Sequence, residues 1–240
     1  MKELRSPLIK HPFGPWSPWS GIMVLTGTIG SGKSRMAAAY AIEALLQHHV
    51  TFLTSELPGD RLRHTIMEKA YEKGISVERR LVVHNVGGTL EKVLNSALSF
   101  ARHADLLIID QLGMKRESIE RTMVSLREIE RAYATSIIIT VPGRDMMLAP
   151  DHDQPSLPYP APANPSFSHY ADIVMAVRRS KVFASSAGLN DNEVVDMMER
   201  AMNGDRYTDL LCTKNREHHL SVGGGAVVDL RNMIQIREIK

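Results

Sequence analysis

Eight consecutive residues, Gly27-Thr28-Ile29-Gly30-Ser31-Gly32-Lys33-Ser34, fill every position of the pattern G-x-x-x-x-G-K-[ST]. They lie between an apolar run, Ile22-Met23-Val24-Leu25, that reads as a short buried strand, and an alanine-rich stretch from Arg35 to Leu46 that reads as a helix. Glycines at 27, 30 and 32 permit backbone conformations and close approach that a side chain blocks, so successive N–H groups can converge on phosphate oxygens. The helix N-terminus adds partial positive charge. Lys33 is then expected to reach the outer phosphates and the Ser34 hydroxyl to hold a magnesium ion. The expected nucleotide-binding set is residues 27 to 34 together with Arg35 at the head of the helix. A glycine-rich turn with an incidental lysine is the plain alternative, and the completeness and placement of the pattern argue against it.

A chain of 240 residues can bury one sizeable α/β core, and its composition suggests no second large domain. Twenty-nine basic and 27 acidic residues leave a formal net charge of +2, so no global basic field announces nucleic acid. The single cysteine, Cys212, follows Leu210-Leu211 and is expected to be a small buried hydrophobe in a reducing compartment. The first residues lack the apolar core of a signal peptide, and no apolar stretch reaches the length of a membrane span. A soluble, cytoplasmic protein with no membrane partner is expected.

Apolar or β-branched runs recur at 22–26, 51–54, 81–84, 106–110, 136–141, 172–177 and 209–213, the early ones separated by helix-period segments. This is the pattern of a mainly parallel sheet flanked by helices. Leu90, Val93, Leu94, Ala97, Leu98 and Ala101 share one helical face within 88–103, as do Ile119, Met123, Leu126, Ile129 and Tyr133 within 117–133. Six of the 12 prolines fall between 150 and 165, which predicts a long surface loop. Residues 190–204 read as an inserted short helix closed by Asn203-Gly204, and 209–238 as strands joined by Gly223-Gly224-Gly225 in an antiparallel hairpin appended to the sheet.

Asp105-Leu106-Leu107-Ile108-Ile109-Asp110 is an apolar strand ending in an acid, the Walker B pattern. Asp110 is expected beside the phosphate loop, bonding the Ser34 hydroxyl or the magnesium shell; the alternative is an aspartate that only opens a turn. Asp105 reads as a residue at the strand start with no part in the site. Thr51-Phe52-Leu53-Thr54-Ser55-Glu56 is a second strand ending in a carboxylate. Glu56 is a candidate general base toward water, or else a first-turn acid stabilised by the next helix dipole; its spacing does not choose between the two.

This series, continued by Gln111-Leu112, His169-Tyr170-Ala171-Asp172-Ile173-Val174 and Lys214-Asn215-Arg216, resembles the RecA-fold motor of DnaB-like hexameric replicative helicases over most of residues 21 to 238. The resemblance implies a RecA-like P-loop NTPase domain at 21–240, with a proline-rich loop at 145–168, an insertion at 184–207 and an N-terminal arm at 1–20. It implies ATP and Mg2+ as cofactors and Glu56 as the residue that activates water. It also implies self-association into a ring, a hexamer in that family, with Lys214 and Arg216 reaching a neighbour's nucleotide as a finger in trans, and single-stranded DNA in the channel. Solvated charges on an edge strand are the alternative for Lys214 and Arg216.

The sequence departs from that family where Ile137-Ile138-Ile139-Thr140 runs into Val141-Pro142-Gly143-Arg144, because the family carries there a glutamine that senses the γ-phosphate. Arg144 or Thr140 is the candidate replacement. On this resemblance, no counterpart of the family's amino-terminal scaffold domain or recruitment linker is expected within these 240 residues. Residues 1–20, with Trp16 and Trp19 among prolines, are expected to pack on a neighbour, to stack on adenine or to form a partly ordered arm. Lys115, Arg116 and Arg144 fall in the loops with which the family lines its channel and are the nucleic-acid candidates, by salt-sensitive backbone contact. A solvated helix start accounts equally for Lys115 and Arg116. His48-His49 and His218-His219 lack the spacing and cysteines of a metal site. A minimal DNA helicase is the leading expectation. A RecA-fold regulatory or assembly ATPase whose nucleotide state switches a protein interface, or a packaging motor, shares the same core.

Overall fold

The structure, a computed structural model, describes residues 6–14, 16–28, 30–55, 58–77, 79–87, 89–111, 118–146, 159–179, 207–215, 225–230 and 232–239. Six strands, β1 (Ile22–Gly27), β2 (Val50–Thr54), β3 (Leu81–Asn85), β4 (Leu106–Asp110), β5 (Ser136–Met146) and β7 (Ile173–Arg179), run parallel in the order β3-β2-β4-β5-β1-β7. Every residue of β1, β2 and β4 is buried, as expected of strands covered on both faces. The period of two sorts their side chains: Met23, Leu25, Phe52, Leu106, Ile108 and Ile138 enter one core, while Ile22, Val24, Leu53, Leu107, Ile109, Ile137 and Ile139 enter the other.

The second core is covered by α3 (Leu90–Ala101), α4 (Ile119–Tyr133) and the short α5 (Pro165–Tyr170), with the amphipathic faces expected for the first two except at Leu98, which lies outside the core and is exposed. The first is covered by α1 (Lys33–Ala44) and α2 (Gly59–Glu72). Beyond β7 the sheet continues antiparallel through β8 (Tyr207–Asn215), β9 (Gly225–Asp229) and β10 (Ile234–Ile239). The appended unit is thus three strands rather than a single hairpin, and Cys212 is buried within it. The insertion expected at 184–207 lies outside the described residues except for Tyr207, which opens β8.

The proline-bearing stretch contributes more than a loop. β6 (Tyr159–Pro162) pairs antiparallel with the last four residues of β5, and α5 follows. Pro160 and Pro162 are tolerated because β6 has one partner strand, so their missing N–H groups interrupt no inner ladder.

Ile9, Phe13, Trp16 and Trp19 pack into the core that α1 shares, while Ser6 and Pro7 bond Glu130 on α4 and Ser136 at the start of β5. From Met36 to Ile42 α1 is buried all round, so its outer side needs a cover as well as its sheet side. Ile9 and Trp19 pair as an antiparallel bridge, and the fully buried Trp19 meets Tyr40 edge-on at 6.5 Å between ring centroids. Gly14 N–H donates to Gln235 Oε1 at 2.7 Å, tying the segment to β10. The expectation that Trp16 and Trp19 serve a neighbour or a base gives way here to packing within the chain.

His11 Nδ1 and the Tyr40 hydroxyl lie 2.7 Å apart. Burial lowers the His11 pKa from 6.5 to about 3 and raises that of Tyr40, so the contact joins two neutral groups. Unfolding frees His11 to take up a proton below its ordinary pKa, so this contribution to stability is complete above pH 6.5 and is lost as pH falls from there toward 3. Urea midpoints measured at neutral and mildly acidic pH should therefore drop with acid, and His11→Gln should flatten that dependence.

Candidate nucleotide site

The parallel strands deliver their carboxyl ends to one edge of the sheet, where the polar residues of the motifs meet. Gly30 and Gly32 hold φ of 75° and 94°, left-handed values that favour glycine, and α1 begins at Lys33. No side chain caps the N-terminus of α1 and no acid lies in its first turn, an arrangement suited to an anion. Lys33 Nζ donates to the carbonyls of Gly27 and Thr28, both at 2.8 Å, bracing the loop from inside. Gly27 is required by space: a Cβ there would lie 2.2 Å from the Val177 carbonyl oxygen on β7.

Asp110, 2% exposed at the end of β4, is the hub. Its Oδ1 accepts from Ser34 Oγ at 3.0 Å and from Thr140 Oγ1 at 2.7 Å. β4 and β1 are not neighbours; β5 lies between them, and Thr140 on β5 is in register with Leu25. A hydroxyl on the intervening strand therefore steadies the carboxylate toward the loop. Thr140 Oγ1 also accepts the Gln111 N–H at 2.7 Å, which commits its proton to Asp110 and a lone pair to Gln111.

Among the described residues no cluster of three His, Cys, Asp or Glu side chains exists to hold a metal unaided. The Ser34 hydroxyl and the Asp110 carboxylate fit the alternative, in which magnesium takes one or two protein oxygens and completes its shell with phosphate and water.

The remaining sequence candidates divide. Arg35 is exposed in the first turn of α1. Ile29, Glu56, Lys115, Arg116 and Arg216 lie outside the described residues. The residues leading to Glu56 are placed: Thr54 is in register with Asp110, and Ser55 Oγ donates to the Gln111 carbonyl at 3.3 Å. Lys214 contributes backbone to β8 opposite Val174. Arg144 is exposed on the part of β5 that pairs with β6, opposite Ala161. Asp105 accepts the His49 N–H at 2.8 Å, joining the starts of β2 and β4 at the far edge from the site.

Gly143 and Gln111, named in the sequence only within motif runs, take roles of their own here. Gly143 is pressed so closely on β1 that a Cβ there would lie 2.8 Å from Gly27 N and from Thr26 Oγ1. Gln111 adopts φ of 61°, clamped between Ser55 and Thr140. The available signal was the polar residue closing each apolar run.

No family model matches the chain, and no curated protein matches it. Solved structures do, 429 chains in all. The crystal structure of the RadB recombinase superposes with a TM-score of 0.58 at 11% identity, covering 89% of this chain and 89% of that one. At that identity the likeness speaks for the fold alone, an α/β RecA-like P-loop architecture with a mainly parallel sheet, flanking helices and antiparallel C-terminal strands.

Proposed function

We propose that the chain is a magnesium-dependent ATPase that assembles with copies of itself into a ring and moves along single-stranded DNA as a reduced helicase motor. The observation that carries the ATPase reading is the meeting of Lys33, Ser34 and Asp110 at the carboxyl edge of a parallel sheet, next to an uncapped helix N-terminus. Residues 27 to 34 cradle the phosphates through backbone N–H groups, and Lys33 exchanges its two loop carbonyls for phosphate oxygens. Ser34 and Asp110 would hold the magnesium ion, which would supply positive charge against the phosphates. Glu56, one residue beyond Ser55, takes the proton of the attacking water.

The helicase reading rests on the order of motifs in the sequence. It assigns Arg216, with Lys214, to a neighbour's site and Lys115, Arg116 and Arg144 to the DNA backbone. One observation favours a regulatory or assembly ATPase instead: the tip of β5 has no sensor glutamine and is bound into a ribbon with β6.

Single-stranded DNA at low salt should raise ATP hydrolysis several-fold, and added salt should remove the stimulation. Hydrolysis that DNA leaves unchanged at low salt would favour the regulatory reading. Arg216→Ala and Glu56→Gln should each be inactive. An equimolar mixture should regain activity, since roughly a quarter of ring interfaces then hold both intact halves. A mixture as inactive as its parts would sink the shared site.

A further inference from the structure

Gln111 is a non-glycine residue in left-handed backbone, one position beyond the carboxylate that holds Ser34. That conformation is disfavoured for a glutamine and persists only where its surroundings impose it. Here they do so from both sides: Thr140 Oγ1 on β5 takes its N–H at 2.7 Å, and Ser55 Oγ at the end of β2 donates to its carbonyl at 3.3 Å. Its backbone polar groups are thereby engaged. The residue is half-buried, and its side-chain amide makes no hydrogen bond among the described residues.

Three strand ends are thus fastened around one glutamine at the nucleotide edge of the sheet, on the strand neighbouring the one whose tip lacks such a residue. We propose that Gln111 supplies the carboxamide that distinguishes a nucleoside triphosphate from a diphosphate at this site. A carboxamide suits that task because its NH₂ donates to a terminal phosphate oxygen while its C=O accepts from the attacking water. Thr140 and Ser55 are positioning residues that set its backbone, and Thr140 couples it to Asp110 through the same hydroxyl. The inference rests on the ATPase reading above.

The test uses the full chain with Gln111→Gly, which accepts a φ of 61° and removes only the amide, and Gln111→Asn, which keeps an amide and tolerates left-handed backbone. Affinities for ADP and for a non-hydrolysable ATP analogue are read by titration of a fluorescent nucleotide, alongside thermal midpoint and turnover. For Gln111→Gly we expect an unchanged or higher midpoint, unchanged ADP affinity, analogue affinity lower by roughly tenfold and turnover lower by about a hundredfold, the scale of removing one catalytic donor. Gln111→Asn should recover part of both losses. A Gln111→Gly variant that still separates triphosphate from diphosphate like the parent overturns the assignment, as does one whose midpoint falls, since the residue would then be structural. A parent protein that binds neither nucleotide overturns the ATPase reading itself, and this assignment with it.

Discussion

Lys33→Ala should lower ATP turnover by about three orders of magnitude, the upper range for losing one preorganised donor to the transferring phosphoryl group. The fold should survive. Lys33 Nζ holds two carbonyls of its own loop at 2.8 Å. Each such bond contributes about 1 kcal/mol net, so their loss should cost a chain of this size only about 5 °C of thermal midpoint. Phosphate release and differential scanning calorimetry on the same preparation separate the two effects. Turnover within about tenfold of the parent would remove Lys33 from the chemistry.

Gly27→Ala should show the opposite balance, with stability the first casualty. The added Cβ would meet the Val177 carbonyl oxygen at 2.2 Å and Ser31 Oγ at 2.4 Å. The first contact is backbone of the adjacent strand β7 and cannot rotate away; on the other side, Gly143 already crowds Gly27 N. Forcing apart β1 and β7, both buried strands, should cost about 3 kcal/mol, or roughly 10 °C. Nucleotide affinity should fall with it, because the carbonyls that Lys33 braces begin at this residue. A midpoint within about 2 °C of the parent would show that the strands yield more readily than the packing implies.

β1 and β4 were legible because burial on both faces favours apolar residues: Ile22–Leu25 and Leu106–Ile109 read as uninterrupted apolar runs. The amphipathic faces of α3 and α4 were legible for the same reason at a different period. Residues 6–20 carry neither period. Their role depends on α1 being buried on its outer side too, and an alanine-rich helix does not announce what covers it. β6 was hidden by its prolines, which a strand with a single partner can carry.

The sequence by itself determined the glycine-rich loop, the strand and helix that flank it and the acid ending β4, because each is a local pattern confined to a few adjacent residues. Only the tertiary structure decided that β5 lies between β1 and β4, and with it that Thr140 bridges Asp110 to Gln111 and that Gly143 closes on Gly27. Strand order follows from pairing between segments far apart in the chain, settled by which faces can be buried together, and no window of sequence contains that choice.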